Sequence, residues 1–209
     1  MKSDHESTSP APRGPVSRVM HGILLLGRGN AAGMNCFGSG REALLSAMAP
    51  SLALFLVIGT LQLLQGPSAS ELTKILLLLS ALLARLVVSH AWAVRWNRQG
   101  LWSRYASASL WSSWLPQFLS LLVGLGLHAI VPNFAEKPAP TIGILLIIEC
   151  YDLWLSWFVA RVGLLLKRGQ AAMLVLSLFV ITLVLYVLAA YLPPYYNAWN
   201  ELTTPLFHK

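Results

Sequence analysis

Charge is what this chain has least of. Of its 209 residues, 11% are Asp, Glu, Lys or Arg, and only eight of those are acidic. Soluble domains carry about 25% charged residues. The deficit, with 56% hydrophobic residues and a mean hydropathy of +0.63, excludes an ordinary water-soluble globule. One membrane domain fits the length, with no room for a separate soluble enzyme domain. Cysteine is almost as scarce. Cys36 precedes the first apolar run and Cys150 lies inside the fourth. Two thiols expected at different depths argue against a disulfide.

The usual marks of chemistry are missing too. There is no P-loop, no HExxH, no Gly-x-Ser-x-Gly elbow and no Cys/His pair at zinc spacing. The histidines His5, His21, His90, His128 and His208 are scattered, and His90 and His128 lie near opposite ends of their runs. A lipid-modifying enzyme would need a nucleophile or metal cluster near the headgroups, and none is visible. The expectation is a non-enzymatic protein without metal or cofactor. One stretch imitates a dinucleotide fingerprint, Gly27-x-Gly29-x-x-Ala32 after ILLL. That chemistry needs a βαβ unit and an acid about 20 residues on. An apolar span follows instead, so the glycines read as a flexible joint.

Long apolar runs are abundant. Five of them approach the ~20 residues that cross a bilayer: 44–64, 72–94, 106–131, 141–166 and 171–192. The links between them carry breakers, Gly66-Pro67-Ser68, Pro132-Asn133, Pro138-Ala139-Pro140 and Pro193-Pro194. The tight Lys167-Arg168-Gly169-Gln170 turn predicts a hairpin of spans four and five. The fold class is therefore all-α, a polytopic bundle of five transmembrane helices. Residues 1–15, rich in Ser and Pro, read as a disordered cytoplasmic tail, and GILLLG is too short for the core of a signal peptide. Residues 16–43 read as an interfacial segment. There Val16, Val19, Met20, Ile23, Leu24 and Leu26 form one apolar face, and Arg18 and Arg28 lie toward the phosphates. Residues 193–209 form a short external tail.

The net charge of +7 would suit nucleic acid, but its distribution suits lipid. Lys2, Arg13, Arg18, Arg28 and Arg41 precede span one. Arg95, Arg98 and Arg104 follow span two, and Lys167 and Arg168 follow span four. The other side holds only Lys74, Lys137 and Lys209, while Arg85 and Arg161 fall inside spans. Cytoplasmic loops are enriched in Lys and Arg, so the expected orientation is N-in and C-out. The partner is the lipid bilayer, with no nucleic acid. Trp92, Trp96, Trp102, Tyr191, Tyr195 and Tyr196 stand where interfacial anchors belong.

The run IIECYDLWLSW, Ile147 to Trp157, places Glu149 and Asp152 among apolar side chains. On a helix, Leu145, Glu149, Asp152, Ser156, Ala160 and Gly163 share one stripe. Small and polar residues mark a face turned to other helices, leaving Trp154, Phe158 and Leu165 for lipid. Span two carries Arg85 on a stripe with Leu78, Ala81, Ser89 and Trp92. At 1.5 Å per residue, Arg85 lies ~20 Å from the outer end, Asp152 ~16 Å and Glu149 ~12 Å. An Arg85–Asp152 ion pair is expected, with Glu149 sharing the guanidinium or protonated. Span three adds Ser109, Ser113, Pro116, Ser120 and Gly124, with Gln117 beside them, and Pro116 is placed to kink it. Arg161, about five residues from the inner end, can snorkel to the phosphates. The polar cluster of Arg85, Glu149, Asp152, Gln117, Ser113 and Ser156 is open to three readings: a packing lock, a partner-docking surface, or an ion or proton path.

A further likeness rests on FGSGREALLSAMAP before span one, WSSWLP entering span three, and YDLWLSWFVARVGL, Tyr151 to Leu164. The last segment resembles small inner-membrane proteins of alphaproteobacteria. Over about residues 35–192 the architecture is similar to the Yip (Ypt-interacting protein) family of five-span proteins, in topology more than in motif. That resemblance carries no catalytic signature. It implies binding or organising of other membrane components, with other membrane proteins or a second copy as partners, in a bacterial inner (plasma) membrane. The alternative is a small transporter or channel subunit with an intramembrane Arg/Glu/Asp centre. The odd span number and the lack of an internal repeat count against it.

Overall fold

The computed structural model describes residues 14–65, 69–130 and 138–191. The tail expected at 1–15 falls outside them up to residue 13. The segment 193–209, the Gly66-Pro67-Ser68 link and Pro132-Asn133 lie wholly outside. The described residues form seven α-helices and one 3-10 helix, with no strand among them. The helices are α1 (Pro15–Gly27), α2 (Arg41–Gln65), α3 (Ala69–Arg95), α4 (Gln99–Ser112), α5 (Trp114–Ile130), α6 (Pro138–Gly163) and α7 (Arg168–Tyr191). The 3-10 helix, Ala31–Cys36, follows α1.

Five stretches are long and apolar enough to cross a membrane: Arg41–Leu61, Leu72–Arg95, Gln99–Leu127, Ile142–Gly163 and Arg168–Tyr191. They match the five runs of the sequence, with one correction. The third begins near Gln99 rather than Ala106, and it is two helices rather than one. Pro116 has no N–H to give, and its ring crowds the carbonyl four residues back, at Ser112. The helix is interrupted at Ser113, where α4 ends and α5 starts. Hydroxyls near the break turn onto their own backbone: Ser113 Oγ donates to Leu110 O at 2.8 Å, and Ser112 Oγ donates to Ala108 O. The Trp114 indole N–H beside them is buried without a partner.

The α3–α4 and α6–α7 turns and the approach to α2 gather at one end of the bundle. It carries Arg95, Arg98, Arg104, Lys167 and Arg168, and we refer to it as the basic end. Both turns close in the same way. Arg98 N donates to Ala93 O at 2.7 Å and Leu166 N to Arg161 O at 3.0 Å, the six-to-one bond of a Schellman stop. The residue between is left-handed in each case, Asn97 with φ 56° and Leu165 with φ 52°. Asn tolerates that region, whereas a leucine there is strained. The expected hairpin of spans four and five is present, with Trp157 Nε1 donating to Arg168 O at 3.2 Å. Arg161 lies over the Trp157 ring, 5.7 Å from its centroid.

The well-packed core sits in this half. Leu26, Leu155, Val159, Ala160, Leu164, Ala171 and Leu174 are buried together. Trp92 donates to Ser177 Oγ and Trp102 to Ser89 Oγ, both at 3.1 Å, tying α3 to α7 and α4 to α3. These two tryptophans therefore pack inside the bundle as well as standing near span ends. Tyr195 and Tyr196 lie outside the described residues.

The segment 16–43 departs from its expected form. Val19, Ile23 and Leu26 of α1 pack into the core, while Val16, Met20 and Leu24 stay exposed on a separate stripe, next to exposed Arg18, His21 and Arg28. The Tyr151 hydroxyl donates to Gly27 O at 2.9 Å and fixes the end of α1 to α6. The glycines here are not a flexible joint. A Cβ on Gly27 would stand 2.9 Å from the Tyr151 hydroxyl, and one on Gly33 2.7 Å from Gly22 O. Only glycine permits these approaches. Cys36 and Cys150 are both free thiols.

Candidate functional site: a charged cleft between the spans

The stripes on α3, α5 and α6 meet as the helical periodicity requires. Every 3.6 residues a side chain returns to the same face, so Leu78, Ala81, Arg85 and Ser89 of α3 line one cavity of about 270 Å³. Ser109 and Ser113 from the end of the α4 segment, and Gln117 from α5, face them across it. A second cavity, about 360 Å³, lies between Arg85, Ser113, Pro116, Gln117 and Ser120 on one side and Glu149 and Asp152 on the other. A third, about 380 Å³, runs between α6 and α7, with Arg85, Glu149, Asp152 and Ser156 in its walls. Arg85 is common to all three.

All six residues singled out in the sequence therefore converge. Arg85, Gln117, Ser113, Glu149 and Asp152 each line at least two of these cavities, and Ser156 lines the third. The expected Arg85–Asp152 ion pair is a different matter. Among the described residues, no carboxylate oxygen approaches the guanidinium within 4.0 Å. The two groups match in depth, but a cavity separates them. Glu149 is exposed at the side of α6, so the cleft reaches the outer surface of the bundle.

An isolated charge in mid-bilayer costs at least ~2.5–3.5 kcal/mol. Three ionisable groups here face shared space without direct contact. Its remaining lining is hydroxyl-rich. Tyr105, 3% exposed, lies beside Ser109. Thr182 and Tyr186 project from α7 one turn apart, and Ser51 comes from α2. Sequence reasoning missed these four. Thr182 and Tyr186 were visible as a polar pair at i, i+4 spacing in an apolar span. Tyr105 carried no such signal, because it lies before the run judged apolar enough to span. Among the described residues no three His, Cys, Asp or Glu side chains gather as metal ligands would.

Comparison with known proteins adds no relative: no family profile, no curated protein and no solved structure matches this chain.

Proposed function

We infer that the chain is a non-enzymatic integral membrane protein that binds or organises other membrane components through the cleft around Arg85. The observation that carries this reading is the convergence of Arg85, Glu149 and Asp152 on shared cavities without a direct ion pair. Groups meant only to lock helices together would close on one another, since an unpaired charge in the spans is costly. Here they face open space, and Glu149 reaches the side of the bundle where a membrane component would arrive. In this reading the basic end faces the cytoplasm of a bacterial inner membrane, with the N-terminus inside, as the distribution of Lys and Arg favours. Helix α1 then lies in the interface, with Val16, Met20 and Leu24 toward the acyl chains and Arg18, His21 and Arg28 toward the headgroups. The resemblance to the Yip family is compatible with the five candidate spans.

The transporter or channel alternative has one observation in its favour. The third span is broken at Ser113 and lines the cleft, as discontinuous helices line transport sites.

Co-purification tests the first reading. The tagged chain, taken from its own membranes in mild detergent, should retain a stoichiometric companion, protein or lipid, that Asp152→Asn loses while melting within a few degrees of wild type. A chain that comes off alone counts against binding. If Asp152→Asn instead abolishes an ion or proton flux in liposomes, the transporter alternative takes its place.

A further inference from the structure

Two cavities of the cleft present both signs of charge to one space, with Arg85 facing Glu149 and Asp152 in each. Their volumes, about 360 and 380 Å³, fall within the ~300–1,000 Å³ of small-molecule sites. A simple cation entering here would meet the carboxylates but also the guanidinium. A simple anion would meet the guanidinium but also two carboxylates. A molecule with both charges a few ångströms apart satisfies all three side chains.

We propose that the cleft binds a small zwitterion, with its primary ammonium between Glu149 and Asp152 and its anionic group, carboxylate or phosphate, on Arg85. The first cavity explains where the anionic end fits. Among its lining residues are Arg85 and the hydrogen-bond donors Ser109 and Gln117, with no acidic group. A guanidinium with neutral donors around it is the environment in which a carboxylate or phosphate is held. The carboxylates lining these cavities are Glu149 and Asp152, which stand one turn apart on the same stripe of α6. Leu153 and Phe179 in the third cavity cover the carbon skeleton. This assignment rests on the reading of the cleft as a binding site and adds the class of ligand. Two sources share the chemistry, the headgroup of an ethanolamine phospholipid and a free amino acid.

The test uses the full chain in detergent, with unfolding followed by tryptophan fluorescence. Phosphoethanolamine and L-alanine are titrated beside methylammonium, acetate and methyl phosphate. A zwitterion should raise the melting temperature saturably, with each singly charged analogue at least about tenfold weaker. Native mass spectrometry from mixed vesicles supplies the lipid arm: retention of ethanolamine lipid over glycerol lipid names the membrane as the source, and an effect of alanine without lipid retention names a free amino acid. Arg85→Gln and Asp152→Asn should each abolish the shift. If either fails to accumulate, the exposed Glu149→Gln carries the same test and should weaken zwitterion binding by about tenfold. Methylammonium or acetate acting as well as the zwitterion overturns the assignment, and so does a cleft that responds to none of the probes with no lipid enriched. A protein companion retained by wild type and lost from Asp152→Asn stands whatever these probes do, so the ligand class and the binding reading fail separately.

Discussion

A methyl group added to Gly33, at the basic end, would stand 2.7 Å from a backbone oxygen; added to Gly124, in the far half of α5, it would meet nothing within 4 Å. The contrast recurs. Gly22, Gly27 and Gly163 are crowded by neighbouring elements, whereas Gly59, Gly126 and Gly143 stand in open space, as do the helix-start glycines Gly100 and Gly169. Leu155 is 2% exposed and Leu122 is 70% exposed. The basic half is built like a soluble core, with indole–serine hydrogen bonds between helices and a tucked-in α1. The far half presents apolar side chains outward and keeps little for its neighbours. Lipid tails are as apolar as leucine, so nothing in a bilayer presses such faces together. The bundle is therefore clamped at one end, and the charged cleft opens beyond the clamp.

Truncations sharpen this contrast most. Leu155→Ala should lower stability by about 2–5 kcal/mol, the usual cost of a cavity in a packed core. Leu122→Ala, the same chemistry on an exposed face, should change it by less than about 0.5 kcal/mol. Thermal unfolding of both variants in one detergent reads the difference, and equal losses would end the idea of two unlike halves. Glycine substitutions come next. Gly33→Ala should cost about 1–3 kcal/mol, since a backbone oxygen cannot step aside. Gly124→Ala should be neutral or stabilising by up to about 1 kcal/mol, because alanine is the better helix former. A destabilised Gly124→Ala would mean that the far half packs against something in the membrane. The smallest effect is expected of Tyr151→Phe. It removes one hydrogen bond to Gly27 O and should cost about 0.5–1.5 kcal/mol. Proteolysis within 15–40 should quicken in that variant, and an unchanged rate would show that α1 is held by packing alone.

The spans, their order and the α6–α7 hairpin were legible because apolar run length and breakers encode them directly. The convergence of Arg85 with Glu149 and Asp152 was legible from depth, since rise per residue is fixed in any helix. The absence of a direct ion pair was not, because the spacing between two helices depends on everything packed around them. The start of the third span was misplaced for a related reason. Gln99–Tyr105 is too polar to be read as a span, yet it opens helix α4, which packs against α2, α6, α3 and α1. The glycines of 27–33 looked like a joint, as glycines do when the atoms that will press on them are unknown. Thr182 and Tyr186 were readable as a pair but had no visible partner until α3 and α4 were set beside them.

The interruption at Ser113 has a mechanical meaning. Helix α4 is gripped at the basic end, and α5 continues past the break for 17 residues, an arm of about 25 Å. Were that arm to pivot at Pro116, a small rotation there would become a large sweep at its tip. A tilt of about 10° carries the tip roughly 4 Å sideways, while Gln117, beside the pivot, hardly travels. In such a pivot the side chains that face Arg85 would stay in place while the far tip of α5 moved.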